Sequence, residues 1–293
     1  MPKAGRSYGV TFRWALGAAG ALILVAGCGS EDFPAPSGDV AADAEALGHV
    51  HGLGVDPGDG TLYAATHFGV FRVGDGGDLT RIADRWQDTM AFTVIGPGHF
   101  LGSGHPDLRE ELPSHLGLIE SVDAAESWSV LSLGGQADFH ALDVSGSRTY
   151  GYDASSGRIM TTTDREAWTT IASWSVADLA ADPGNSDRVI ASAPDGALRF
   201  YSLGTAEPSL LEDPPRVVLL EWPAEGVLVG VTASGEVYRS DDAGASWISA
   251  GRVPGTPEAF DTTKEEWHVA TDHGIHRSTD GGTTWSLLVA AAH

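Results

Sequence analysis

Two matching octapeptides, SDDAGASW (Ser240 to Trp247) and STDGGTTW (Ser278 to Trp285), end 38 residues apart. Both fit S-x-D-x-G-x-[ST]-W. A third copy, SVDAAESW (Ser121 to Trp128), carries Ala125 at the glycine position, and TTDREAW, ending at Trp168, is one residue short. Trp128 and Trp168 lie 40 residues apart, and the 79 residues from Trp168 to Trp247 leave room for one unit whose box has eroded. A fixed period of this length means one supersecondary unit repeated along the chain. Each unit has the same order: an apolar strand, a D-P-G type turn, a strand such as LYAATH or WHVATD, a glycine, then a strand such as GVFRV or GEVYRS. Such turns suit tight hairpins, and no helical periodicity interrupts them. The units begin near residues 49, 88, 138, 175, 216 and 257.

This pattern resembles the Asp box, or BNR repeat, of β-propellers of the sialidase-like type. The resemblance implies a turn between the third and fourth strands of a blade. There Asp123, Asp242 and Asp280 tie down backbone N–H groups, Gly244 and Gly282 adopt a left-handed backbone, and Trp128, Trp247 and Trp285 pack between blades. With six units, the expectation is an all-β fold, a six-bladed β-propeller spanning residues 48–293 as a single domain.

In a propeller blade the first strand lines the central channel, and the start of strand one, the end of strand two and the start of strand three share one face. LGHVHGLGVD places His49 and His51 at alternate positions, so both side chains point the same way. The register sets His51 level with Met90 and His140, and His67 level with His105 and Asp272. His49, His51, His67, His105 and His140, with Met90 beside them, are therefore expected around the channel mouth of blades 1–3. Crowded imidazoles cost desolvation and repel one another when protonated. A divalent metal would use them, with Asp88, Asp138 or Asp272 as ligands or acceptors. His/Met favours copper and His/Asp favours zinc. The alternative is that these histidines only hydrogen-bond backbone or water. His115 sits in the insertion PDLREELPSHLG, which could fold over the mouth as a lid; His268, His273 and His276 read as ordinary blade-6 residues.

The resemblance also raises a glycoside hydrolase of the sialidase type. That class implies an arginine triad, a tyrosine nucleophile and an F/Y-R-I-P motif, which this chain lacks. Arg72, Arg239 and Arg277 fill one repeat slot and read as blade-edge contacts. Tyr152, with Asp153 beside it, is the catalytic candidate of this alternative reading. There is no H-E-x-x-H or phosphate loop, and the G-x-S-x-G of Gly5 to Gly9 (GRSYG) lies within the N-terminal segment that precedes the apolar run. The photosystem assembly-factor-like propellers share the same repeat grammar and suggest a scaffold role by analogy.

Lys3, Arg6 and Arg13 precede an apolar run ending in LVAGC, which resembles a bacterial lipobox. The expectation is a signal peptide over residues 1–27, lipidation at Cys28, and an acidic tether over 28–47. Cys28 is the chain's one cysteine, so no disulfide and no other thiol ligand is available. The formal charge of −23 argues against nucleic acid as a partner. The protein is thus expected to be exported, monomeric and lipid-anchored on the outer side of the cell membrane, with an envelope protein or a glycan as possible partner. Replacing Cys28 with alanine should move the protein from the membrane to the soluble fraction on fractionation; unchanged membrane retention contradicts the anchor.

Overall fold

A computed structural model describes residues 47–205 and 207–291. The signal peptide, Cys28 and all of the tether except Leu47 lie outside the described residues. Among those described, every regular element is a strand. Blade 1 holds β1 (Val50–Val55), β2 (Leu62–Thr66), β3 (Gly69–Val73) and β4 (Leu79–Arg81). Blade 2 holds β5 (Asp88–Gly96), β6 (His99–His105), β7 (Leu118–Ser121) and β8 (Ser129–Ser132). Blade 3 holds β9 (Phe139–Ser145), β10 (Arg148–Asp153), β11 (Arg158–Thr162) and β12 (Thr169–Ser173). Blade 4 holds β13 (Asp178–Ala181), β14 (Arg188–Ser192), β15 (Leu198–Ser202) and β16 (Ser209–Leu210). Blade 5 holds β17 (Val217–Ala224), β18 (Val227–Thr232), β19 (Glu236–Ser240) and β20 (Ile248–Arg252). Blade 6 holds β21 (Pro257–Thr262), β22 (Trp267–Thr271), β23 (Gly274–Ser278) and β24 (Ser286–Ala290).

Each blade is a four-stranded antiparallel meander in chain order, so the fold is a six-bladed β-propeller. The innermost strands pack neighbour to neighbour, from β1 through β5, β9, β13 and β17 to β21, which returns against β1. Sequence follows this layering. Second strands are covered on both faces by adjacent blades, so LYAAT, VLVGVT and WHVAT are almost wholly buried. Fourth strands have one edge in solvent, and SVLS, TTIAS and ISAGR are correspondingly polar and exposed.

An apolar cluster fills each of the six blade interfaces. The blade 6–blade 1 seam closes without strand exchange, since each blade takes its four strands from one continuous segment. Val50, Leu53, Phe71 and Leu79 pack there with Ala259, Ile275 and Val289. Leu47, read from the sequence as the last tether residue, joins them at 5 % exposure. Gly77 (φ +85°) approaches β24 so closely that a Cβ would stand 2.2 Å from the Leu288 carbonyl oxygen, and only glycine fits.

The box turns join third to fourth strands as expected. Asp242 Oδ1 accepts from Ser246 N (2.7 Å) and Ser240 Oγ (2.8 Å); Asp280 Oδ1 accepts from Thr284 N (2.9 Å) and Ser278 Oγ (2.9 Å). In blade 2, Asp123 makes the same bonds, and Ala125 holds the glycine slot at φ +70°. The box tryptophans are half-buried and reach the preceding blade: Trp128 the 1–2 cluster, Trp247 the 4–5 cluster and Trp285 the 5–6 cluster. The buried indoles among the described residues are Trp222 and Trp267, the latter packed edge-on to Phe260 and under Gly282. Trp267→Ala should therefore cost about 3–5 kcal/mol in denaturant unfolding, and Trp247→Ala clearly less. Equal losses would contradict this packing.

Candidate metal centre at the channel mouth

The central cavity has a volume of about 570 Å³, and its wall includes His49, His51, Met90, His140, Tyr152 and Glu258. Of the expected histidines, His49, His51 and His140 line it, and around them two groups of ligand-type side chains form. In the first, His51 Nε2 lies 3.1 Å from His67 Nδ1, and Asp88 Oδ1 lies 3.0 Å from His67 Nδ1 and 3.6 Å from His51 Nε2. β1 supplies His51, the residue after β2 supplies His67, and the first residue of β5 supplies Asp88. Ligand atoms about 2.0–2.2 Å from a tetrahedral ion stand about 3.3–3.6 Å apart, so the His51–Asp88 edge fits one and the two hydrogen-bonded edges need to open by a few tenths of an ångström. Burial, then the neighbouring His67, His49, His140 and His105, push His51 down to about 3. Its imidazole is neutral near pH 7, the form in which it ligates.

In the second group, His105 Nε2 stands 3.9 Å from Asp138 Oδ1, and His115 Nδ1 stands 3.8 Å from Asp138 Oδ2. His140 Nε2 donates to Asp138 Oδ2 at 3.0 Å. Burial works to raise the Asp138 carboxyl, but the bond from His140 and the nearby histidines outweigh it and hold it below its ordinary value.

Other expected residues fall elsewhere. His49 is drawn to blade 6, where its Nδ1 meets Glu258 Oε1 at 3.0 Å; that hydrogen bond raises its pKa against the opposing effect of burial. His49 rests edge-on to His51, outside both groups. Met90 lines the cavity wall. Asp272 accepts from Thr256 N at 2.6 Å and belongs to neither group. Asp153 is buried and occupied, accepting from Asp138 N (3.0 Å), Ser155 and Ser156, which leaves Tyr152 without a free acid from it. Arg239 pairs with Asp241 (2.6 Å) and Arg277 with Glu266 (3.8 Å), the blade-edge contacts expected of them.

Sequence reasoning passed over His115 as a ligand and over four inner-strand acids. Asp143, Asp178, Glu221 and Asp261 all line the cavity. Asp143 Oδ2 accepts Ala181 N (2.7 Å) and Asp178 Oδ2 accepts Leu220 N (2.8 Å), each bridging to the next blade. The legible signal was an acid within an apolar inner strand, as in ALDV and AFDT.

No protein-family model matches this chain, and no curated protein matches it. Solved structures do. A gluconolactonase from Xanthomonas campestris superposes with a TM-score of 0.62 at 11 % identity, over 80 % of this chain and 86 % of that one. Virginiamycin B lyase from Staphylococcus aureus gives 0.56 at 12 %, over 85 % and 87 %. YCF48 bound to D1 peptide gives 0.51 at 16 %, over 86 % and 85 %. At these identities the likeness establishes the propeller fold, and chemistry must be argued from the residues.

Burial pushes Asp143 up to about 6 and Asp178 and Asp261 up to about 7, and raises Glu221 as well. The folded chain therefore keeps protons that these groups have already lost in the unfolded chain near pH 4. That contribution to stability is present at low pH and disappears as pH rises through 6–7. Histidines held low, such as His51, His268 and His276, act in the opposite sense until their unfolded forms lose their protons near pH 6.5, so the acids dominate from there upward. The melting temperature in chelator should fall from pH 6.5 to pH 8, with a shallower fall in Asp178→Asn. A flat or rising profile contradicts the buried-acid assignment.

Proposed function

We propose that the protein is a membrane-anchored, extracytoplasmic propeller that binds a divalent transition metal at its channel mouth through His51, His67 and Asp88. The observation that carries this is the convergence of three donor atoms from three separate strands, mutually 3.0–3.6 Å apart. A set of two imidazoles and one carboxylate, with no thiolate, favours zinc(II), with copper(II) the nearest competitor. Three protein ligands leave one coordination position open beside the cavity, the arrangement of zinc sites that exchange water for a small ligand. His49, held to Glu258, lines the cavity wall next to His51. The anchor and the extracytoplasmic location rest on the lipobox-like LVAGC.

A glycoside hydrolase draws less support, because Asp153 is held by backbone and serine donors and two of the three repeat-slot arginines, Arg239 and Arg277, are paired with local acids. The test is a competition titration of the purified, untagged protein with zinc(II) and copper(II), followed by the same titration of His67→Ala. The expected result is tight zinc binding that weakens on the order of 100-fold or more when this ligand is lost. Identical affinity in wild type and His67→Ala overturns the proposal.

A further inference from the structure

The insertion between β6 and β7, residues 106–117, returns to the propeller at His115, beside the start of β9. Three features there stand without explanation in the fold. His105 Nδ1 is 2.7 Å from the Ser114 carbonyl oxygen, which can only accept, so the proton sits on Nδ1. In the neutral ring His105 Nε2 then carries the lone pair, facing Asp138 Oδ1, 3.9 Å away and also an acceptor. Asp138 Oδ1 and His115 Nδ1 are both buried and both lack a hydrogen-bond partner. Two confronted acceptors and an unsatisfied imidazole nitrogen, all within 4.8 Å of one another, make an unfavourable arrangement that a cation at their centre relieves.

We infer that His105, His115 and Asp138 form a second, separate zinc(II) site that fastens the 106–117 insertion to the inner strand of blade 3. This goes beyond the mouth site of His51, His67 and Asp88, since it shares none of its ligands. The surroundings fit a structural ion. Ligating histidines commonly donate their other ring N–H to a backbone carbonyl, as His105 does to Ser114. His140 holds the opposite carboxylate oxygen of Asp138 at 3.0 Å and orients it. One ligand atom from each of the three residues lies within 4.8 Å of the others, so the group must draw in by about an ångström, through small side-chain rotations, to reach the spacing of a tetrahedral ion. Arg109 fixes the far end of the insertion by its pairs with Asp84 (2.9 Å) and Asp107 (2.6 Å). The ion would fix the near end, so that the segment beside the mouth is held at both ends.

The test counts zinc(II) equivalents on the full-length protein and follows hydrogen–deuterium exchange of segment 106–117 with and without zinc(II). Wild type should take two equivalents, and zinc should slow exchange of the segment at least tenfold. His115→Ala and the shape-conserving Asp138→Asn should each lose one equivalent and the protection, while retaining the other equivalent. His67→Ala should lose the other equivalent and keep the protection. If His115→Ala and Asp138→Asn still bind two equivalents, or zinc leaves exchange of 106–117 unchanged in wild type, the second site is wrong. Its failure is separable from that of the mouth site: loss of an equivalent only in His67→Ala removes this proposal alone, and loss only in His115→Ala and Asp138→Asn removes the other.

Discussion

Every blade turns one unpaired strand edge toward the central axis, and the fold depends on how those inner edges are satisfied. Backbone N–H groups there have no ladder partner on the channel side, and leaving them buried and bare is costly. The chain answers with carboxylates. Asp143 reaches Ala181 N, Asp178 reaches Leu220 N, and Glu258 reaches Val50 N at 3.0 Å, each from one blade to the next. These bonds add to the apolar contacts that also join neighbouring inner strands, such as Val50 and Leu53 with Ala259. They explain why a chain rich in small apolar residues keeps acids in its innermost strands, although burial raises Asp143 and Asp178 against the opposing pull of these same bonds.

The same geometry concentrates chemistry at the mouth. Strand starts and second-strand ends project around a single rim, so donors from distant positions converge with no local motif. His51, His67 and Asp88 come from three strands and two blades. The insertion of blade 2 adds His115 from outside the repeat. Closure is equally local. The final seam is held by an apolar cluster, a close approach at Gly77 and the Glu258 bond, with no exchanged strand. The rim near blades 1 and 6 therefore rests on side-chain packing instead of a continuous ladder, and Glu258 both joins that seam and holds His49 at the edge of the mouth.

Blade boundaries were legible in the sequence because the box period sets them. Starts expected near residues 49, 88, 138 and 257 match β1, β5, β9 and β21 closely, and those near 175 and 216 fall just before β13 and β17. The register also placed His51 and His67 on the correct face. It could not say which histidines would touch, since register fixes height and face while partners depend on blade-to-blade spacing. His49 and His51 share a face yet separate, one drawn by Glu258 and the other by His67 and Asp88. His115 has no slot in the repeat, so no register argument could carry it to Asp138. Leu47 was hidden by its small, acidic neighbours, although its burial is decided by the seam of blade 6.

The most direct check of the central claim is a zinc-soaked crystal measured above and below the zinc absorption edge. The account predicts an anomalous peak about 2.0–2.2 Å from His51 Nε2, His67 Nδ1 and Asp88 Oδ1. No peak there, with His67 still hydrogen-bonded to Asp88, would contradict it and leave these histidines as parts of the rim alone.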